Sequence, residues 1–159
     1  MLSPGSYLRL RREAAGLSIQ SAASALAALP IAVGGGTYRA RTAMLEAMLL
    51  RIEGNLGFLR PEQARIVAGA FHFDTKVYEE LALIHCAGPG CGLPIPQVCH
   101  TCGCSWFDPC VDGVDCCGWS DLNPQLCTTC EAKGADTAPS HPHSAHQPHA
   151  QPTGREVAL

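Results

Sequence analysis

Ten cysteines stand in this 159-residue chain, and all of them fall after position 85. Eight crowd into the stretch from Cys99 to Cys130, CHTCGCSWFDPCVDGVDCCGWSDLNPQLCTTC. A C-x-x-C pair on a tight turn directs two sulfurs at one point, and two such pairs close a tetrahedral thiolate shell around zinc. Cys99/Cys102 and Cys127/Cys130 have that form, with 24 residues between the pairs, and are the expected ligands of one zinc ion. Gly103 suits the knuckle turn in which backbone N–H groups point at sulfur. Cys104, Cys110, Cys116 and Cys117 are surplus to that ion and point to a second one. Cys117 is preferred to its neighbour Cys116, because adjacent cysteines rarely both bind one small ion. The fourth ligand would then be Cys116, Cys86, Cys91 or His100, with Cys86 and Cys91 forming a further pair in CAGPGCG.

Other thiol chemistries fit less well. An iron–sulfur cluster also takes four thiolates. A thioredoxin-like redox pair needs C-x-x-C at a helix start within a βαβ unit, and the sequence shows no such unit. Haem attachment needs C-x-x-C-H, whereas His100 follows the first cysteine of its pair. An all-cysteine shell leaves no open coordination position for catalysis. With no nucleophile–base pair and no phosphate loop in view, the chain reads as a non-enzyme. Trp106, Phe107 and Trp119 are expected to cap the metal core or, alternatively, to form an exposed recognition patch.

The elements that position these cysteines begin with a helical stretch free of cysteine. Ser3-Pro4 is a helix start, and Tyr7, Leu8, Leu10, Ala14 and Ala15 carry the helix to Gly16. Ser18 caps a second helix, with Ile19, Ala22, Ala23 and Leu26 on one face, which stops before Pro30. PIAVGGG is a loop, because three glycines cannot extend a helix cheaply. Thr37 caps a long helix that runs to Glu53 and stops at Gly54-Asn55. Pro61 starts a fourth helix and Asp74 caps a fifth, ending near His85. Met44, Leu45, Met48, Leu49 and Ile52 are expected in the core, and His72, between two phenylalanines, is expected to pack. From Cys86 the helical period is lost. The last residues, SHPHSAHQPHAQPTGREVAL, are too poor in apolar side chains to repay their ordering entropy. Their His141, His143, His146 and His149 read as a solvated linker rather than ligands.

Two resemblances attach to these motifs. YLRLRREAAGLSIQSAA resembles the opening of the Cro/CI-type (XRE) helix-turn-helix family. LLRIEGN resembles the end of that family's recognition helix, and RPEQARIVAGAFHFD its fourth helix. The resemblance covers residues 4–84. It implies double-stranded DNA as partner, with the third helix in the major groove. The family's short turn is replaced here by an insertion over 27–36. The positions where base readers would fall, Leu45, Glu46, Ala47 and Met48, cannot make bidentate base contacts. The longer third helix would instead read with Arg39, Arg41 and Thr42, while Arg9, Arg11 and Arg12 hold phosphates. The alternative is a protein-interaction adaptor that keeps the fold and binds a host or phage protein. Residues 99–130, read as C-x-x-C-G-C-S-W-F-D-P-C, C-G-W and L-C-T-T-C, resemble a small cysteine-rich module of phage and prophage-type proteins, which implies metal binding.

The expected fold is therefore mainly α. A five-helix helix-turn-helix-like domain spans 1–85, an irregular zinc module 86–132, and a disordered His/Pro-rich tail 133–159. Charge follows the same division. Residues 1–85 carry nine Lys/Arg against seven Asp/Glu, and residues 86–159 carry two against seven. Such asymmetry suggests two units with different partners, the zinc module recruiting a protein or a second copy of the chain. No segment has the ~18 consecutive apolar residues of a spanning helix. The N-terminus lacks the apolar core of an export signal, so the reducing cytoplasm is the expected location, where clustered cysteines bind metal rather than pair.

Overall fold

The computed structural model describes residues 1–30, 36–112 and 115–137. It contains six helices among the described residues: α1 (Pro4–Ala14), α2 (Ile19–Ala28), α3 (Tyr38–Glu53), α4 (Pro61–Ala68), α5 (Thr75–Ala87) and α6 (Thr128–Thr137). A two-stranded antiparallel ribbon, β1 (Val111–Asp112) and β2 (Asp115–Cys116), lies in the cysteine-rich stretch.

Each of the first five helices starts where a side chain or a proline dictates it. The Ser3 hydroxyl accepts from the Ser6 N–H at 3.1 Å, and Pro4 occupies the first turn. Ser18 accepts from Ser21 N at 3.0 Å, Thr37 from Ala40 N at 3.3 Å, and Asp74 from Lys76 N at 2.9 Å. Caps of this kind are worth about 1 kcal/mol each. At α4 the cap is reversed: the Arg60 N–H donates to the Gln63 side chain at 2.9 Å, next to Pro61.

α1 packs on α3 and α5, α2 on α3, and α4 on α5. The shared core holds Tyr7 and Leu8 of α1, Leu26 of α2, Leu49 of α3, Val67 of α4, and Tyr78 and Leu81 of α5. Phe71 and Phe73 fill it from the α4–α5 connection. The Tyr7 hydroxyl accepts from the Asp74 N–H at 3.0 Å, which ties α1 to the start of α5. Gly5 lies so close to the end of α3 that a Cβ there would collide with the Ile52 carbonyl. The Asn55 side chain, on a left-handed residue (φ 56°), accepts from Gly5 N at 2.9 Å and seals the contact.

Three expectations need correcting. Met44 is not core: it is 54% exposed, since it lies off the side of α3 on which Leu49 and Ile52 are buried and Leu45 and Met48 pack. His72 does not pack between its phenylalanines: both rings turn inward, and the imidazole stands outside on Asp108, 3.1 Å from a carboxylate oxygen. α6 occupies 128–137, so residues 133–137 are helical rather than tail. The histidines of the expected tail lie outside the described residues.

Candidate metal centre

The cysteine-rich stretch folds around its own sulfurs. Val98 enters the helical core, and the chain then turns back at Cys99. The Cys99 N–H donates to the Cys104 carbonyl at 2.9 Å, and Gly103 N to the Cys99 carbonyl at 2.9 Å. This knuckle needs Gly103, whose φ is +74°. Next comes the β1–β2 ribbon, closed at its base by Cys117 N donating to the Cys110 carbonyl at 2.9 Å. Trp119 then bridges to Cys127, which directly precedes α6. The Ser120 hydroxyl donates to Glu131 at 2.6 Å, and Thr128 N donates to the Gly118 carbonyl at 3.0 Å, so the start of α6 is held against the chain entering it.

These turns bring sulfur to one point. Cys99, Cys104 and Cys127 are buried, with Cys102, Cys110, Cys117, Cys130, Trp119 and Leu126 packed around them. Two sets of four thiols are each close enough to hold a metal ion, all ligand atoms within 4.8 Å of one another: Cys99, Cys102, Cys104 and Cys127, and Cys104, Cys110, Cys117 and Cys127. The Sγ–Sγ distances are 3.8 Å for Cys102–Cys127, 3.7 Å for Cys110–Cys127 and 3.6 Å for Cys104–Cys117. A tetrahedron of thiolates with metal–sulfur bonds of about 2.3 Å has edges of about 3.8 Å. All ten cysteines carry free thiols.

Electrostatics explain why a cation belongs there. Burial pushes the thiols of Cys110 and Cys117 up to about 11 and that of Cys130 up to about 12. Burial likewise raises Cys127, but the Cys130 backbone N–H points at its sulfur and the net effect is to lower it. Hydrogen bonds from Cys102 and Cys104 hold Cys99 as the most acidic thiol of the group. Cys99 and Cys127 form thiolates readily, and Cys110, Cys117 and Cys130 need a compensating positive charge. Backbone donors help at two further sulfurs: Cys110 N to Cys117 Sγ at 3.2 Å, and Cys127 N to Cys99 Sγ at 3.4 Å.

The thiols that lie closest are not simply the two C-x-x-C pairs. Cys104 joins Cys99, Cys102 and Cys127, because the knuckle folds it back over Cys99, while Cys130, in the first turn of α6, packs beside them. Cys117 belongs to the second set of close thiols, and Cys116 is exposed on β2. Cys86 and Cys91 are exposed and belong to neither set, since α5 extends through Cys86 and carries both away. His100 is exposed as well. Of the aromatics, Trp119 packs on the sulfurs, whereas Trp106 and Phe107 are 68% and 78% exposed.

The arginines divide too. Arg9 and Arg39 are exposed, and Arg41 and Thr42 are half-buried, with the Thr42 hydroxyl donating to the Tyr38 carbonyl at 3.0 Å. Arg12 cannot hold a phosphate. It is 6% exposed, and its guanidinium donates to both oxygens of Glu53 at 2.7 and 2.8 Å and to the Leu17 carbonyl at 2.6 Å. Arg11 is drawn to the cysteine-rich stretch, 2.6 Å from Asp108. That contact, invisible to local pattern, joins α1 to the cysteine-bearing turns.

Among the described residues no helix is long and apolar enough to cross a membrane. Comparison with family models, curated proteins and solved structures finds no match.

Proposed function

We propose that this chain is a DNA-binding transcriptional regulator of phage or prophage type, working in the cytoplasm, whose helix-turn-helix-like domain is braced by a structural zinc module. The observation that carries the reading is the division of α3. Leu49 and Ile52 anchor its C-terminal half in the core, while Tyr38, Arg39 and Ala40 stand exposed at its N-terminal end. Helix-turn-helix proteins present the N-terminal residues of such a helix to base edges in the major groove. Arg39, Arg41 and Thr42 would make those contacts, with Arg9 on a phosphate. Zinc is the ion that closed, all-thiolate tetrahedra favour, and its part here is structural rather than catalytic.

The test is a salt series of gel shifts with duplex genomic fragments. A complex should form at low salt; Arg39→Ala and Arg41→Ala should each weaken it by about 1–3 kcal/mol, and Arg9→Ala should lower the salt slope by about 1. Failure of the unmodified protein to shift any fragment at low salt rejects the reading.

A protein-interaction adaptor is the second reading. It is favoured by the loss of Arg11 and Arg12 to internal partners, and by the exposed apolar side chains Met44 and Leu50 on α3 and Trp106 and Phe107 on the module. In that case the gel shift is negative, and a single host or phage protein co-purifies in proportion to the chain. Light scattering would show whether that surface instead pairs two copies.

A further inference from the structure

We infer that the module holds two metal ions in one cluster, with the thiolates of Cys104 and Cys127 bridging them. The inference rests on the metal-binding reading above and adds the number of ions and the way they share ligands.

The two four-thiol sets are not independent. They contain six different cysteines, and Cys104 and Cys127 belong to both. Two separate tetrahedral ions would need eight ligands. Six sulfurs suffice only if the two tetrahedra share an edge, and the shared edge is already defined. The structural origin of each pair is consistent with that division. Cys99 and Cys102 come from the knuckle and serve one ion. Cys110 and Cys117 come from the base of the β1–β2 ribbon and serve the other. The bridging pair joins the knuckle, through Cys104, to the start of α6, through Cys127. Both bridging residues are within 1% of complete burial, as the centre of a cluster must be.

A single ion uses less of the geometry. Placed on Cys99, Cys102, Cys104 and Cys127, it leaves the Cys110 sulfur 3.3 Å from Cys102 and 3.7 Å from Cys127, and the Cys117 sulfur 3.6 Å from Cys104. Those two part-buried thiols then have no metal of their own. A second ion turns both into ligands, and loading must part the Cys102 and Cys110 sulfurs to about 5 Å, the spacing of terminal ligands on opposite ions of an edge-sharing pair. Edge sharing puts the ions about 3 Å apart, given bonds of about 2.3 Å. Cys130 has no place in this cluster and lies beside it.

The probe is cadmium-113 loaded into the full-length protein, with native mass spectrometry for stoichiometry and cadmium NMR for connectivity. The expected result is two ions per chain and two resonances, each split by the other through the shared sulfurs. Cys130→Ser should keep both ions and the splitting. Cys104→Ser leaves Cys127 as the one shared sulfur and should reduce the splitting. Because that variant removes a buried ligand and can unfold the module, the unmodified protein's spectrum is decisive. Two unsplit resonances overturn bridging while leaving metal binding intact. One ion per chain overturns the cluster while leaving a single site. Loss of an ion in Cys130→Ser overturns the proposed ligand set. No bound ion at all overturns this inference and the zinc reading together.

Discussion

Arg12 places a formal charge among apolar side chains, and its surroundings show what makes that tolerable. Both of its Glu53 contacts are short, and the third donor goes to the Leu17 carbonyl. The hydrogen bonds with Glu53 raise the arginine's pKa, so the guanidinium stays charged. A buried pair of this kind adds little net stability over an apolar pair of similar volume, but removing one partner strands the other. Glu53→Gln should therefore destabilise the helical unit by about 3 kcal/mol, and Arg12→Met by a similar amount, read as a lowered urea midpoint with unchanged slope. The double variant Arg12→Met/Glu53→Leu should recover most of the loss. Additive losses in the double variant would mean that the two residues act separately. The partner of Glu53 lies 41 positions away, a distance over which periodicity carries no signal.

At the scale of elements, the seam between α1 and the knuckle sets the position of the metal-binding turns. Gly103 needs a left-handed backbone, and a Cβ there would come within 3.0 Å of Arg11 Cδ and 3.2 Å of Leu10 Cβ. Asp108 completes the seam, gripping Arg11 on one oxygen and His72 on the other. Gly103→Ala should cost about 1–2 kcal/mol in backbone strain alone, and Asp108→Ala about 2 kcal/mol for the stranded arginine. Hydrogen exchange should locate both effects at Leu10–Ala14 and the knuckle and leave α2 and α4 unchanged. Uniform acceleration across all helices would contradict a local seam. The first five helices were legible in the sequence because their signals are local: Ser3, Ser18, Thr37 and Asp74 cap, and Pro61 starts, within one turn of where they stand. α6 was not, because TTCEAKGADT has weak helical propensity and is held by Cys127, Cys130 and the Ser120–Glu131 bond. The cysteine cluster was legible as a group. The approach of Cys104 to Cys99, Cys102 and Cys127 was not, since spacing cannot say which sulfurs converge.

At the scale of the molecule, the chain has two cores of different kinds. The first is apolar and built from α1 to α5, with Val98, just before the cysteine-rich stretch, inserted in it. The second buries Cys99, Cys104 and Cys127 beside the polar Ser105, Asp108 and Ser120; with so little apolar mass, the ion proposed above would supply its folding energy. Chelation should therefore act unequally. Amides from 99 to 130 should lose protection at once, and α6 should melt with them, because Cys127 and the Ser120–Glu131 bond fix its start. The first core keeps Tyr7, Leu8, Leu26, Leu49, Val67, Tyr78 and Leu81, so α1 to α5 should remain folded and the far-ultraviolet helical signal should fall by only α6's share. That unit still loses the Arg11–Asp108 contact and the insertion of Val98. A loss of about 2 kcal/mol lowers the melting temperature of a domain this size by about 10 °C, measurable by calorimetry before and after chelation. Restoring zinc should return both the protection and the higher melting point. If metal removal instead unfolds all five helices in the same step, the two cores form one cooperative unit, and the seam at α1 carries far more of the stability than its contacts imply.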